Sequence, residues 1–327
     1  MTPLVTVAIL AYNRRDPLAI TLEKVTTALE YPRDQLEIIV VDNASTDGTA
    51  EMVREWFPSV KVISNPENVG IAGWNRAFEQ GAGEWFLVLD DDCYIEGDAL
   101  QRALDGASRE GADLVSFHVD SSDPGVAFSE KYQTGVLSFW GCAALVSARA
   151  VHELGGFDER LFIWAHELEF TMRLLDRGYA HLLLTDVRAV HMKSMTPITV
   201  FAYVRNMRNF AYVAMRLMQP RDAAVAMTSL LTRPFVEAMA GIGFLKAFPA
   251  VLAGARLGLQ HRQPVRPEVS RLYRRHFLEF GSHVRLIDRA RGWLAHRRSG
   301  ADPNFRFGFW RRRPALYPSA PTAFRVP

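Results

Sequence analysis

The chain has 327 residues, 49% of them hydrophobic and 23% charged, with a formal net charge of +2. That profile excludes collagen, wholesale disorder and a coiled coil, and it has room for one large α/β domain with an appendage. The small net charge hides a split: residues 1–190 carry 15 Lys/Arg against 30 Asp/Glu, and residues 191–327 carry 23 against 6, an acidic body with a basic remainder suited to something anionic.

The first half alternates short apolar runs with helical patterns, the mark of βαβ units around a largely parallel sheet. Leu4–Leu10 reads as a buried strand, Pro17–Leu29 as a helix, Leu36–Val41 as a second strand, and Asp42–Gly48 as a cluster of turn and cap residues. A helix over Thr49–Phe57, a strand over Val60–Ser64 and a helix over Gly73–Gln80 follow. Trp85–Leu89 is a fourth strand running directly into Asp90-Asp91-Asp92. Helix Gly97–Arg109 and strand Asp113–Phe117 come next. Further on, Cys142–Val146 and His181–Thr185 have strand character, and Ala148–Leu154 and His166–Arg177 have helical spacing.

Residues 200–260 are helical and apolar, but Arg221, Arg233, Pro234, Glu237, Lys246, Pro249 and Arg256 interrupt every window long enough to span a bilayer. Two readings stand side by side: amphipathic helices lying on a membrane, and an ordinary helical subdomain. From about Gly300 the chain is rich in Pro, Arg and aromatics, the composition of a poorly ordered tail. Two cysteines, Cys93 and Cys142, are too few for a disulfide framework or a four-thiolate zinc site. With no charged-then-apolar leader at the start, they point to the cytoplasm, at most peripheral to the inner face of the membrane.

In an open α/β sheet, ligands sit beyond the carboxyl ends of the strands. Ala11, Tyr12, Asn13 and Arg14 follow the first strand, and Asp42 and Asn43 follow the second. Asp42 is suited to accept a hydrogen bond from a base N–H, Tyr12 to stack on the base, and Arg14 to meet a phosphate. Asp90, Asp91 and Asp92 repel one another unless a cation neutralises them. In an extended segment Asp90 and Asp92 face the same way and can share one Mg²⁺ or Mn²⁺, with Asp91 facing away. His191 offers an imidazole as a third ligand. In His166-Glu167-Leu168-Glu169 the two glutamates diverge around a helix. One of them can act as general base, while Glu169 has a bland alternative, an ion pair with Arg173 at i,i+4.

At these residues the chain resembles a family-2 glycosyltransferase, an inverting enzyme of the GT-A fold, close to rhamnosyl- and galactofuranosyl-type members. The resemblance covers about residues 4–195. Its elements occur in the family's order: VAILAYNR at 7–14, VVDNASTDGT at 40–49, NPENVGIAGWNRA at 65–77, LDDD at 89–92, GGFDERLF at 155–162, HELEFTMRLLDRGY at 166–179 and AVH at 189–191. It implies a Rossmann-like α/β fold, with a mostly parallel sheet flanked by helices and a basic helical C-terminal region. The implied catalytic domain spans 1–195, with a nucleotide-binding half 1–117 and an acceptor half 118–195. A helical, membrane-associated region spans 196–299, and the tail is 300–327.

Carried over to this chain, the resemblance implies that Ala11, Tyr12, Arg14, Asp42, Asn68, Asn75 and Asp91 line the nucleotide-sugar site. Asp90 and Asp92 match the DxD motif and His191 a metal-site histidine. Trp140 and Gly141 border the acceptor pocket, with Glu169 on the same side. Glu167 is the catalytic base and Glu169 the fallback. The family's usual acidic pair opening the helix here reads His166-Glu167, a departure at its first position. The implied partners are a nucleotide-diphosphate sugar donor and a saccharide, lipid-linked or small-molecule acceptor, with Mn²⁺ or Mg²⁺ as cofactor and no nucleic acid. The competing readings are a non-catalytic nucleotide-sugar-binding member, encouraged by His166, and a sugar-nucleotide pyrophosphorylase. The second is disfavoured because AYNRRDP lacks the Gly-rich phosphate loop.

Overall fold

The computed structural model describes residues 2–121, 136–192, 200–238, 244–281 and 322–326. The chain divides into two compact units, residues 1–196 with 313–327, and residues 197–312. In the first unit β1 (Val5–Ala11), α1 (Arg15–Thr27), β2 (Leu36–Asp42), α2 (Thr49–Trp56), β3 (Lys61–Ser64), α3 (Gly73–Gln80) and β4 (Trp85–Asp90) alternate as the apolar pattern predicts. They are followed by β5 (Cys93–Ile95), α4 (Ala99–Glu110), β6 (Leu114–Ser121), β7 (Ala143–Ser147), α5 (Ala148–Leu154), α6 (His166–Asp176) and β8 (His181–His191).

The eight strands form one sheet in the order β3-β2-β1-β4-β7-β6-β8-β5. β3, β2, β1 and β4 are parallel neighbours. Beyond β4 the sheet is mixed, because β7 runs antiparallel to both β4 and β6, and β5 antiparallel to β8. The parallel half is buried on both faces, so β1 is a continuous run in which Val5, Thr6, Val7, Ala8 and Ile9 are all inaccessible to water. Helix α1 covers one face with Leu18, Leu22 and Val25, spaced at three and four residues. Cys93 and Cys142 are both free and buried in this core.

β8 extends far beyond the predicted Thr185, to His191, and a bulge between Phe117 and His118 keeps it paired with β6 to the end. Residues 322–326, read from composition as part of a poorly ordered tail, return to the sheet, and Phe324 exchanges both backbone hydrogen bonds with His181 at 2.8 and 3.0 Å. A short apolar stretch that finds a free strand edge is ordered by those bonds whatever its neighbours' composition. The remainder of that tail, 300–321, lies outside the described residues.

The second unit holds α7 (Val200–Leu217), α8 (Pro220–Ala238), α9 (Phe244–Gln260) and α10 (Pro267–Gly281). Helices α7 and α9 run parallel and almost touch. A Cβ on Gly254 would fall 1.9 Å from the Arg208 carbonyl, and one on Gly258 2.5 Å from that of Tyr212. Arg262 donates to the carbonyls of Met215 and, at 2.9 Å, Met218, satisfying the end of α7. Buried Asp222 on α8 accepts from Ser270 at 2.6 Å and Arg274 at 3.0 Å, both on α10. Among the described residues no helix is long and apolar enough to cross a membrane.

His181 has a testable consequence. Its ring is fully buried, with Nδ1–H donating to the Val136 carbonyl at 2.9 Å and Nε2 accepting from the Ser116 hydroxyl at 2.8 Å. Burial pushes its pKa down to about 4. The neutral ring's contribution is complete above the ordinary histidine pKa of about 6.5. It is lost as pH falls toward 4, because the unfolded chain binds a proton that the fold refuses. The loss amounts to about 3 kcal/mol over that window. In urea unfolding followed between pH 7 and pH 4, His181→Gln is expected to show a shallower acid limb than the wild type. Identical slopes would contradict this assignment.

Candidate active site

Register gathers the loops. Ala11 at the end of β1 stands opposite Asp42 at the end of β2, and Leu10 stands opposite Asp90 at the end of β4. The loops beyond are stapled together, with Asn13 N–H donating to the Ser45 hydroxyl at 2.9 Å and Thr46 N–H to Asn13 Oδ1 at 2.8 Å. Asn13 accepts a left-handed φ of +52° in doing so. Ser45 N–H donates to buried Asp42 at 3.2 Å, while the Tyr12 ring is 46% exposed at the same sheet edge. Asn43, at the end of the second strand, and Asn65, outside the expected site, tie this edge inward. Asn65 donates to Asn43 at 2.8 Å, and Asn43 to the Gly70 carbonyl at 2.9 Å. Asn43 sits in the turn-rich DNASTDG run, where its type alone signals only a turn.

The acidic triplet does not continue the strand. β4 stops at Asp90, and Asp91 and Asp92 lie in a turn, so strand alternation is not what brings Asp90 and Asp92 together. The short strand β5 does it: Cys93 pairs with His191, and Met192 N–H donates to the Asp92 carbonyl at 2.8 Å. Asp90, Asp92 and His191 each offer a ligand atom, all within 4.8 Å of one another, and His191 Nε2 is 3.0 Å from Asp92 Oδ1. Arg14 does not stand free for a phosphate, because its guanidinium lies 3.3 Å from Asp91 Oδ1 and also bonds Asp92. The same guanidinium thus ties Asp91 to Asp92. Burial, then the charges of Asp90 and Asp92, push the Asp91 pKa up to about 7 against the pull of Arg14. Two carboxylates and an imidazole are a donor set that fits Mn²⁺ or Mg²⁺.

The second cluster opens α6. Phe162, Trp164 and Ala165, just before it, all hold left-handed φ values of +60°, +63° and +64°. Non-glycine residues in that region are strained by roughly 1–3 kcal/mol each, a concentration typical of functional segments. His166 is buried, stacked on Trp74 at 5.9 Å and met edge-on by Phe157 at 5.1 Å, and its Nδ1 is 3.2 Å from Glu167 Oε2. Gly141 lies directly against the pair: a Cβ there would be 2.7 Å from Glu167 Oε1 and 2.9 Å from His166 Nε2. Trp140 and Gly141 form a tight turn closed by Ala143 N–H on the Trp140 carbonyl at 3.1 Å. The next residue, Cys142, accepts from Asp90 N–H at 3.0 Å. Glu167 and the acidic cluster therefore flank one three-residue turn.

Other expected site residues are used elsewhere. Glu169, read as an acceptor-side residue and fallback base, is completely buried and bidentate with Arg173 at 2.6 and 2.7 Å. Arg173 in turn holds the Leu154 and Gly156 carbonyls at 2.6 and 2.8 Å, so the expected i,i+4 ion pair of Glu169 with Arg173 is present. Asn75, expected at the nucleotide sugar, gives both ends of its amide to the backbone of Phe157 at 2.8 and 2.9 Å. Asn68, expected beside it, accepts from Gly70 N–H at 2.9 Å and shapes its own turn.

The profile of glycosyl transferase family 2 matches residues 6–173, and the chain belongs to that family. Among named relatives, glycosyltransferase AglE of Haloferax volcanii is 30% identical over 58% of this chain and 67% of its own length. The N-acetylglucosaminyl-diphospho-decaprenol L-rhamnosyltransferase of Mycobacterium tuberculosis is 23% identical over 59% of this chain and 78% of its own. Succinoglycan biosynthesis protein ExoA of Rhizobium meliloti is matched over only 51% of its length. The fold is that of the mannosyltransferase PcManGT from Pyrobaculum calidifontis, solved with GDP-Man and Mn²⁺. The likeness has a TM-score of 0.56 at 22% identity and covers 90% of this chain and 84% of that one. S. aureus TarS with UDP-GlcNAc gives 0.54 at 16% identity, covering 84% and 92%. These are glycosyltransferase structures, and the sheet described above is their GT-A architecture.

Removing one partner of a buried ion pair leaves an uncompensated charge. Arg173→Ala is therefore expected to lower unfolding stability by about 3–5 kcal/mol in urea titration. A change of less than about 1 kcal/mol would mean that Glu169 is solvated and free for another role.

Proposed function

We propose that the chain moves a sugar from a nucleoside-diphosphate donor to a hydroxyl of a saccharide, glycolipid or natural-product acceptor, with inversion at the anomeric carbon. The observation that carries this is the turn at Trp140–Cys142, which has Glu167 on one side and Asp90, with its partners Asp92 and His191, on the other. The similar structures, solved with GDP-Man and Mn²⁺ and with UDP-GlcNAc, support a nucleotide sugar as donor. The decaprenol-linked acceptor in the name of the mycobacterial relative supports a lipid-linked hydroxyl.

In this reading Asp42 accepts from the base and Tyr12 covers its face, so the donor lies along the edge formed by β1, β2 and β4. Asp90, Asp92 and His191 would hold a divalent cation, whose charge offsets that of the departing diphosphate when it is bound. Glu167 takes the proton of the acceptor hydroxyl. The freed oxygen attacks the anomeric carbon from the face opposite the diphosphate, and the electron pair of the broken C–O bond leaves with the nucleoside diphosphate. Gly141 keeps the space beside Glu167 open, since any side chain there would collide with that carboxylate. The reaction is placed on the cytoplasmic side, with the basic half of the chain available to the membrane's inner face.

A panel of nucleotide sugars with Mn²⁺, read by thermal shift and by product release, tests this. A matching donor is expected to raise the wild-type melting temperature and to be turned over. Glu167→Gln is expected to keep the donor shift and lose at least about 10²-fold in transfer. Asp92→Ala is expected to lose both shift and turnover. Wild-type rates in either variant would refute the assigned roles. A donor shift without hydrolysis or transfer under any condition would favour the non-catalytic binder that His166 suggests.

A further inference from the structure

Away from the candidate site, the helical unit leaves large apolar side chains in water. On α9, Phe248, Leu252 and Leu259 are 36%, 49% and 53% exposed. At about 100° per residue they fall within about 40° of one another around the helix. The neighbouring face, with Ala247, Val251, Gly254 and Gly258, is the one packed inward and against α7. At the start of α7, Val200 and Phe201 are 44% and 61% exposed. Because Gly254 meets Arg208 and Gly258 meets Tyr212, the two helices are in parallel register, and Phe201 and Phe248 share one end of the pair. Single exposed apolar residues are ordinary, but a run of them along paired helices marks a contact surface.

Charge selects the occupant. Arg256 is exposed on α9 beside Leu252 and Leu259, Arg221 is exposed at the start of α8, and the Arg205 guanidinium stands over the Phe201 ring at 5.5 Å. Helices α7 and α9 carry five Lys/Arg and no Asp/Glu, so a second copy of the chain would bring like charge to the same face. An anionic bilayer offers the opposite charge together with apolar depth. No described helix is long and apolar enough to cross it, so contact is in the plane of the interface. We propose that the α7–α9 face docks on an anionic lipid surface, with Phe201, Phe248, Leu252 and Leu259 at the acyl boundary and the arginines at phosphate level. This adds a partner to the transfer reading and is tested without it.

The test is flotation of the full chain with vesicles of phosphatidylcholine alone or mixed equally with phosphatidylglycerol, at low and high salt. The variants are Leu252→Ser with Leu259→Ser, and Arg256→Glu, all at exposed positions, with an unchanged melting temperature as the check on folding. The wild type is expected to float with the anionic vesicles and to fall about tenfold with neutral vesicles or high salt. The double serine variant is expected to lose flotation about tenfold, and Arg256→Glu several-fold. A wild type that stays unbound, or variants that float equally, would overturn the proposal. So would a dimer in light scattering that the serine substitutions split while lipid binding is absent. Flotation with no donor shift would count against the transfer reading alone.

Discussion

Three consecutive carboxylates at the end of a buried strand are the constraint on which the rest of the site depends. Asp90, Asp91 and Asp92 follow five residues of β4, four of them buried, and Asp92 itself is almost inaccessible. Such a cluster persists only where positive charge is delivered to it. Two groups reach it from different directions, the Arg14 guanidinium from the loop after β1 and the His191 imidazole from the end of β8. Neither comes from a sequence neighbour, and both arrive through strand register. Asp90, Asp92 and His191 together form a donor set that could hold a metal ion.

The Trp140–Cys142 turn lies between Glu167 and the backbone of Asp90. It has no room for a side chain at its centre, because Glu167 and His166 close over Gly141. It also supplies the carbonyl that fixes Asp90. Displacing the turn would therefore move Glu167 and Asp90 together. The left-handed backbone at Phe162, Trp164 and Ala165 and the Glu169–Arg173 clamp hold the start of α6 against it. The aromatic packing of His166 on Trp74 and Phe157 explains how an imidazole occupies a position where the family usually has an acid.

Much of this was legible in the residues. The parallel strands were clear because burial on both faces makes them continuous apolar runs ending in turn-forming residues. The helices α3 and α5 fall at their predicted bounds. β5 was not legible, since three residues between an acidic turn and Glu96-Gly97 carry no period. Its absence from the sequence reading left alternation as the only means of pairing Asp90 with Asp92, and the chain turns there instead. The bond from Asn75 to Phe157 was not legible, because its partner is 82 residues away and no local signal announces it. Glu169 was the opposite case: the spacing to Arg173 already announced the ion pair that the structure shows. The strand made by Phe324 depends on a free edge at His181, which composition does not reveal.

The most direct measurement is an anomalous difference map from crystals of the chain grown with Mn²⁺ and a nucleoside diphosphate. The account requires one manganese peak within coordination distance of Asp90, Asp92 and His191, with the base beside Asp42 and Tyr12. A nucleotide bound at that edge with manganese ligated elsewhere, or a nucleotide bound away from the ends of β1, β2 and β4, would contradict it.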